Sequence, residues 1–462
     1  MSPVKKTRSV AGEAQLRPER DLRAITDHIF RLAKSLDLPE VEVHLDEVID
    51  ALTRFANNTI HQHVAEHGLT VSLRVVADGR TARVTTNRAD EDALRGALES
   101  AASLAASQPK DPGLLTLPGK QRYRPVQRFS SPTAALSAEA RARAVKNACA
   151  LAEMKGQTAA GIFCSGQSQS VLANSRGLFA TYRQTQAEFS ITMQQDSATS
   201  WAKANAADFR AFNPLRLVEM ASEKAGRAVN PIELAPGRYT VILEPAAVLD
   251  LVGFLFYDFS ATAVHDQRSC FSGRLGKALL GKNITIADDV YHPEQLGAPF
   301  DGEGIPRGRV VLVDKGVPRH LVYSRRSAKK ARTKSTGHGF ALPNEYGEAP
   351  MNLVVEGGTT PVQQMIAGTD RGLLVTRLWY IREVDPYEKI MTGMTRDGLF
   401  LVEKGKVTQS VRNFRFNQSI LQMLQNVESL GPSHRSTAEE SFEMVVPPMK
   451  IKDFHFSEGT KF

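Results

Sequence analysis

The stretch LTVSLRVVADGRTARVTT, residues 69–86, decides the first part of the fold. Apolar side chains alternate with polar ones from Leu69 to Val75, which is the period of a strand with one buried face. Asp78-Gly79 then supplies a two-residue turn, and the alternation resumes from Ala82 to Thr86. The stretch therefore predicts an antiparallel hairpin that is half buried.

Helical patterns flank this hairpin on both sides. Apolar residues at every third or fourth position predict an amphipathic helix from Leu22 to Leu36. An alanine-rich segment predicts a second helix from Ala89 to Ala106, and a third is predicted from Ser137 to Lys155. Alternating strands around Phe189–Met193 precede a helix that Asn213-Pro214 caps. Helices mixed with antiparallel strands are typical of an α+β fold.

The composition of the chain shifts at Asn230-Pro231, where prolines and a glycine interrupt it. Beyond this point short Val- and Leu-rich strands alternate with Gly and Pro, and a further hairpin is predicted at Asp397-Gly398. We therefore predict a tail at residues 1–18 and an N-terminal α+β domain of antiparallel sheet with packed helices at 19–230. A C-terminal β-rich domain, a mostly antiparallel sheet or distorted barrel, is predicted at 231–462.

Charge and cysteine usage bound the function classes. No apolar run long enough to cross a membrane occurs in the 462 residues, so we expect a cytoplasmic protein without a membrane partner. The three cysteines form no CxxC pair, which fits a reducing compartment. The net charge is +8, and the densest basic run spans Arg319–Lys334. This run lacks interleaved aromatic residues and any nucleic-acid-binding motif, so we do not expect nucleic acid as a partner.

One histidine pair has the spacing of a zinc site. His63-Val64-Ala65-Glu66-His67 matches the H-x-x-E-H pattern of some zinc peptidases, which requires a helix. Here it lies between an expected strand, Thr59–Val64, and the strand that begins at Leu69, with a turn expected at Glu66–Gly68. In a strand the two rings would lie about 13 Å apart, so we do not interpret the pair as a metal site.

Other chemistries lack a complete motif. There is no G-x-S-x-G elbow and no phosphate-binding loop. Asp288-Asp289 and Asp301-Gly302-Glu303 could ligate a hard cation, but without EF-type spacing we interpret both as solvated acidic loops. Isolated histidines are interpreted as surface or hydrogen-bonded core residues. They are His265, His292, His320 and His338.

Short segments of the second half, taken in order, resemble the TldD/PmbA family from Pro236 to Lys450. Phe300–Pro306 is similar to the family's FDsEG-x-P segment, and Lys334–His338 is similar to its KSTGH segment. Further similar segments are Gly372–Thr376, Thr392–Gly398 and Val402–Lys406. The hairpin of Val71–Asn87 resembles the family's first half, so the resemblance covers nearly the whole chain.

This sequence departs from the catalytic kind of chain in that family. The TldD kind carries an H-E-x-x-x-H helix and a late cysteine that together hold a catalytic metal. Counted back without gaps from Phe271–Gly273, that window falls on Val252–Tyr257, which contains no histidine or glutamate, and no cysteine follows Cys270. The resemblance therefore implies a PmbA/TldE-like subunit with no catalytic residue and no metal or other cofactor of its own. The metal is expected in a TldD-like catalytic partner.

The resemblance further implies a complex that degrades or trims unfolded or modified peptides, and names in the family also refer to modulation of DNA gyrase. Six basic residues are candidates to meet a peptide carboxylate or an acidic partner surface, because guanidinium groups bind carboxylates bidentately. They are Arg325, Arg326, Lys329, Lys330, Arg382 and Arg396. A solvated basic face explains any one of them equally well.

Two alternatives stay open at this point. The chain could be an autonomous metallopeptidase with a non-standard site that includes His63 and His67. It could also be a stand-alone protein that binds peptide or nucleic acid through its basic run.

Overall fold

The computed structural model describes residues 15–460 of the chain. The predicted tail therefore lies outside the described residues up to residue 14. The described α-helices are α1 (Glu19–Ser35), α2 (Glu91–Ser107), α3 (Ser131–Ala134), α4 (Ala138–Met154), α5 (Pro214–Arg227), α6 (Pro245–Val252), α7 (Ala261–His265), α8 (Arg325–Lys330), α9 (Val362–Ala367) and α10 (Ile420–Gln425). Two 3-10 helices span Phe209–Ala211 and Gly253–Phe259.

The strands of the first half are long, and those of the second half are mostly short. The first half contains β1 (Glu40–Ala56), β2 (Thr59–Ala77), β3 (Arg80–Thr86), β4 (Thr158–Asn174), β5 (Phe179–Gln195) and β6 (Ala198–Ala206). The second half contains β7 (Gly237–Leu243), β8 (Ile286–Asp288), β9 (Val310–Asp314), β10 (Val317–Pro318), β11 (Leu353–Val355), β12 (Arg371–Asp385), β13 (Ile390–Glu403), β14 (Lys406–Ser410), β15 (Phe414–Ser419), β16 (Val427–Leu430), β17 (His434–Ser436), β18 (Met444–Val446) and β19 (Met449–Gly459).

The first half is a six-stranded antiparallel sheet in the order β3-β2-β1-β4-β5-β6. Helices cover one of its faces. Val43 and Leu45 of β1 belong to the apolar cluster that includes α1 and α2, and Phe55 belongs to the cluster that includes α4 and α5. Burial of each such side chain contributes about 1.5–3 kcal/mol. The other face carries exposed polar residues such as Asp46 and Asp50.

The predicted hairpin and helices of this half are confirmed. β2 and β3 pair around Asp78 and Gly79, whose φ angles of 50° and 73° suit a two-residue type I′ turn. Asn213 caps α5 by accepting a hydrogen bond from the Leu215 N–H. The turn expected at Glu66–Gly68 is wrong, because β1 pairs with β2 through this stretch and keeps it extended.

The second half contains a closed five-stranded barrel and a separate six-stranded sheet. Around the barrel the strands pair in the order β12-β7-β19-β15-β13, and β13 pairs back with β12. The other sheet has the order β10-β9-β8-β11-β18-β17. Large apolar side chains, including the fully buried Phe416 and Phe456, fill one core between these elements. The predicted α+β class is confirmed, and the barrel is the distorted-barrel form of the predicted second half.

The hairpin predicted at Asp397-Gly398 is wrong, because both residues lie inside β13. Their φ angles are 55° and 129°, and the pairing with β12 shifts register at the neighbouring position, between Val375 and Arg377. The Asp397 carboxylate accepts a hydrogen bond from Arg377 Nε at 2.6 Å in the protein interior. The Asp-Gly pair therefore makes an irregularity within a strand that fixes a buried ion pair.

The predicted boundary at residues 230/231 falls in the connection between α5 and β7. The division into domains at that point stays a prediction. Within residues 15–460, no helix combines the length and the apolar composition needed to span a bilayer.

Candidate functional site

The window in which the resemblance would place a metal-binding helix, Val252–Tyr257, is an apolar and mostly buried element. Val252 ends α6, and the following residues form the 3-10 helix that runs to Phe259. Val252 and Leu255 are fully buried in the core of the second half. Hydrocarbon side chains offer no lone pair to a metal ion, so these residues do not fit a catalytic metal.

One acidic side chain, Asp250, lies beside this window in α6. It is fully buried, its Oδ1 accepts a hydrogen bond from the Glu440 N–H at 3.1 Å, and its Oδ2 has no partner in the described chain. Burial raises the pKa of this carboxyl to about 8, so it holds a proton near neutral pH. Among residues 15–460, no three His, Cys, Asp or Glu side chains form a group that could hold a metal ion.

The histidine pair of the H-x-x-E-H pattern lies on the extended strand β2. His63 Nδ1 is 3.2 Å from Thr53 Oγ1, and His67 Nε2 is 2.8 Å from Glu47 Oε1. Four residues of strand separate the two rings by about 13 Å, and Glu66 points to the other face. On this extended strand the two rings therefore lie too far apart to bind one zinc ion together.

The interpretation of the two acidic segments as solvated loops is wrong. Asp288, Asp301 and Glu303 are all buried. Asp288 accepts a hydrogen bond from His338 Nε2 at 2.8 Å, and both side chains are fully buried. Asp301 accepts three backbone N–H groups, among them that of Gly339 at 2.7 Å. These carboxylates hold the segments around residues 300–306 and 334–339 together.

An unpaired strand edge is the main feature of the first half. β3 pairs with β2 only from Val71 onward, so Thr59–Thr70 forms the free edge of the sheet. The Ser175 N–H, just beyond the end of β4, donates a hydrogen bond to the Val41 carbonyl of β1. The N–H and C=O groups of the odd-numbered residues of β1 therefore face β4 and not β2. The odd-numbered residues of β2 therefore direct their N–H and C=O groups outward.

An acidic trough of about 400 Å³ lies beside this free edge, on the face that the helices leave open. Asp50 and Glu66 stand directly opposite each other on β1 and β2, and both line the trough. The Asp50 side chain is exposed but partly shielded from water by the trough, and this partial desolvation, followed by the charge of Glu66, raises its pKa. Leu52, Val64 and Cys164 give the trough an apolar part.

α8 carries four of the six basic candidates. Arg325 Nη2 donates to the Thr116 carbonyl at 2.8 Å, and Arg326 binds both oxygens of Asp111 at 2.8 and 2.9 Å. These two arginines therefore fasten the connection between α2 and α3 to the second half. Lys329 and Lys330 are exposed at the end of the helix.

The other two candidates lie on the barrel strands β12 and β13. Arg382 lies 3.7 Å from Glu440 and stacks 4.5 Å over the ring of Tyr380. Tyr380 has φ 56°, which a bulky residue adopts at a cost, and this bulge turns its ring outward. Arg396 stacks 4.9 Å over the ring of Trp379. The structure thus places the six candidates at two locations, and their contact role stays a prediction.

Comparison with known proteins places the chain. Models of the PmbA/TldA metallopeptidase match it in three parts, domain 1 at residues 41–105, the central domain at 130–229 and the C-terminal domain at 236–458. The chain belongs to the PmbA/TldD metallopeptidase family. The segments that carried the resemblance lie within two of these matches, domain 1 and the C-terminal domain.

The family members with known folds or names are distant relatives. The crystal structure of TldE from Thermococcus kodakarensis superposes with a TM-score of 0.86 at 21% identity, covering 94% of this chain and 100% of that one. The metalloprotease PmbA of Escherichia coli O157:H7 is 24% identical over 313 residues, 64% of each chain. A metalloprotease TldD homolog of Buchnera aphidicola is 26% identical over 222 residues, 47% of this chain and 44% of the relative. The matches span less than two thirds of these two relatives.

Sequence reasoning missed three features of this PmbA/TldD family chain. The free edge of β2 depends on where β3 ends, and the trough depends on register across three strands. Burial of Glu303 depends on α8, which comes later in the chain. The one signal for the free edge in the sequence was the long, mostly polar stretch before Leu69.

Proposed function

We propose that this chain is the metal-free partner subunit of a cytoplasmic, TldD/TldE-type peptidase complex. A TldD-like catalytic subunit supplies the metal-activated water, and this chain holds an extended peptide. The observation that carries the proposal is the apolar character of Val252–Leu255, with Val252 and Leu255 fully buried, in the window where the resemblance would place the metal ligands of the catalytic kind.

The free edge of β2 is where the peptide adds as a further strand. Edge strands are usually blunted by proline, a bulge or a covering element, because their open N–H and C=O groups pair with other chains. From Gln62 to Thr70 β2 contains no proline and pairs with β1 without a register shift. A backbone pairing of this kind recognises many sequences, which suits unfolded peptides as substrates.

The acidic trough gives the docked peptide a side-chain preference. Asp50 and Glu66 are like charges on adjacent strands, and Glu188 on the far side is already paired with Lys203 at 3.2 Å. A lysine or arginine of the peptide would relieve the repulsion between the first two. We therefore propose peptides with a basic residue as preferred substrates.

The experiment that tests the proposal measures cleavage of an unstructured fluorogenic peptide by this chain alone and by a mixture with a TldD-type partner from the same organism. The matched control is the same partner with its H-E-x-x-x-H histidines replaced by alanine. We expect cleavage only in the mixture with the intact partner. Robust cleavage by the chain alone, free of partner, would show that the proposal is wrong.

A further inference from the structure

A second stretch of free strand edge lies on the other side of the first-half sheet. β6 pairs with β5 only at Ala187–Gln195, so Phe179–Gln186 has no partner strand on that side. The Asn174 N–H at the end of β4 donates a hydrogen bond to the Leu178 carbonyl, so the even-numbered residues of β5 pair with β4. The N–H and C=O groups of the odd-numbered residues therefore face away from β4.

Two of these outward-facing residues have free backbone groups. The Thr185 N–H donates to the Arg128 carbonyl at 2.9 Å, which closes one end of the edge. Within residues 15–460, the outward N–H and C=O groups of Thr181 and Arg183 form no hydrogen bond. Both residues are exposed. The edge therefore offers an added strand two N–H donors and two C=O acceptors.

A groove of about 1000 Å³ lies along this edge. It is lined by Thr181 and Arg183 of β5, by Gln167 and Gln169 of β4, and by residues of the segment 123–129. Its volume is at the upper end of the range of small-molecule sites, roughly 300–1,000 Å³. β1 and β4 separate it from the free edge of β2. The groove is therefore distinct from the peptide site of the proposed function.

Arginines dominate the charge of the groove. Its charged lining residues are Arg17, Glu19, Arg128 and Arg183. Arg17 forms an ion pair with the buried Glu47, and Glu19 lies 3.9 Å from Arg23. Two positive charges, those of Arg128 and Arg183, are left over.

Neither of these two arginines forms an ion pair within the described part of the chain. Arg128 donates to three backbone carbonyls, and its buried Nε has no partner among the described residues. Asp289 is close enough to attract Arg128 but pairs with Arg309 at 3.6 Å. Arg183 is exposed, and its guanidinium group stacks 4.5 Å over the ring of Phe129. The groove therefore favours a ligand with a negative charge.

An extended acidic peptide satisfies both features of the groove. A small anion would meet the arginines but leave the carbonyls of the edge without donors, whereas a peptide backbone supplies donors and acceptors together. In an added strand, the side chain opposite Arg183 lies on the same face with its Cβ about 5 Å away. A carboxylate there accepts two hydrogen bonds from the guanidinium group. We propose that this groove binds an extended peptide along the edge of β5, with an aspartate or glutamate against Arg183.

The test measures peptide binding to the isolated full-length chain by fluorescence anisotropy, so it does not depend on the proposed complex. Three labelled peptides of alternating threonine and valine are compared. The first has a central glutamate, the second has glutamine in its place, and the third has the glutamate and an N-methylated backbone. We expect the glutamate peptide to bind, the glutamine peptide to bind about fivefold more weakly, and the N-methylated peptide not to bind. Absence of binding, equal binding of the first two peptides or undiminished binding of the third would overturn the proposal.

A charge variant tests the contact with the carboxylate. Arg183→Gln should weaken binding of the glutamate peptide about fivefold and leave binding of the glutamine peptide unchanged. The matched control is Arg122→Gln, which removes an exposed charge outside the groove and should change neither affinity. Equal losses for both peptides in Arg183→Gln would contradict the proposed carboxylate contact.

A proline in each free edge distinguishes this site from the one proposed on β2. Thr181→Pro removes an N–H that forms no hydrogen bond to β4, and it should abolish binding of the glutamate peptide. The control Thr181→Val keeps the N–H and should preserve binding, and far-UV circular dichroism checks that each variant is folded. Ala65→Pro on β2 should leave this binding unchanged. Binding that survives Thr181→Pro and is lost in Ala65→Pro would overturn the proposal for β5 while supporting the peptide site on β2.

Discussion

The sheet of the first half and the barrel of the second half end in opposite ways. In the first half the sheet ends in Thr59–Thr70 of β2, an exposed strand with open backbone groups. In the second half β12 pairs back onto β13, so that five strands close into a barrel. Closure removes the edges of a sheet, and an open edge invites another strand.

This difference assigns the two halves different work. The second half buries many apolar side chains, phenylalanines among them, in one core, and Gly253–Phe259 forms a 3-10 helix beside it. The open half offers an added strand its hydrogen bonds and an acidic trough for a side chain. Under the proposed function, substrate handling lies in the first half and structural support in the second.

Removal of a buried partner should destabilise the second half severely. Asp288→Ala leaves His338 buried without its carboxylate, and breaking such a pair costs about 3–5 kcal/mol of unfolding free energy. The control Asp289→Ala changes a half-buried neighbour and should cost under about 1 kcal/mol. Urea unfolding followed by near-UV circular dichroism measures both. Equal losses in the two variants would mean that the buried pair is not what stabilises this half.

The Asp288–His338 pair also determines whether the free energy of unfolding rises or falls with pH. Burial acts to raise the pKa of Asp288, but the His338 ring, the Arg307 charge and the Asn352 N–H outweigh it and hold the pKa below its usual value. A lowered pKa stabilises the fold above the unfolded-state value of about 4, and that stability is lost as the pH falls further. Asp288→Ala should therefore flatten the acid limb of the stability profile.

A variant of Glu303 in the second half should stabilise the fold at high pH. Glu303 has its pKa raised to about 7, above the unfolded value of about 4.3, so its ionisation destabilises the fold as the pH rises between these values. Glu303→Gln should gain on the order of 2–3 kcal/mol at pH 8, and the gain should vanish near pH 4. Thermal unfolding over this pH range measures the difference.

A matched glutamate serves as the control for that prediction. Glu348→Gln places an amide NH2 where the carboxylate accepts two hydrogen bonds, so it should destabilise the fold at pH 8. If both variants were more stable than the wild type at pH 8, the gain would come from the loss of any negative charge and not from the unpaired carboxylate of Glu303.

A proline in the free edge of β2 should weaken peptide binding without unfolding the first half. The N–H of Ala65 points to the free edge, so Ala65→Pro removes no hydrogen bond to β1 and blocks an added strand. In the assembled complex we expect KM for an unstructured peptide to rise about tenfold, which corresponds to 1.4 kcal/mol of binding. The control Ala65→Val keeps the N–H and should leave KM near the wild-type value. An unchanged KM in Ala65→Pro would show that the peptide does not add as a strand to the free edge of β2.

The smallest expected effect concerns the charges of the trough. Glu66→Gln relieves the repulsion with Asp50 across the strand pair and should stabilise the fold by about 0.2–1 kcal/mol. The same change should raise KM severalfold for a peptide with a basic residue and leave KM for a neutral peptide unchanged. Equal effects on the two peptides would show that the trough does not select side chains.

Local patterns predicted much of the fold because local chemistry decides those elements. The Asp78-Gly79 turn, the Asn213 cap and the helix from Leu22 to Leu36 each depend on residues near one another in the chain. The turns predicted at Glu66–Gly68 and Asp397-Gly398 failed for a shared reason. In both places a partner strand supplies enough hydrogen bonds to keep the chain extended through residues that alone favour a turn.

Little of the candidate site could be predicted from the sequence. The absence of histidine and glutamate from Val252–Tyr257 is visible in the sequence, and the metal-free state inferred from it stays a prediction. Burial of Asp288 and Glu303 was missed because residues about 50 and 20 positions away, His338 and Arg325, enclose them. The free edge was missed because it depends on the end of another strand.

The metal content of each subunit after assembly would show which of the two chains holds the catalytic metal. This chain and a TldD-type partner would be mixed, shown to cleave peptide, separated under mild conditions and analysed for metal by mass spectrometry. We expect the metal to stay with the partner and this chain to carry only a trace. Stoichiometric metal on this chain, accompanied by peptidase activity in the absence of the partner, would contradict it.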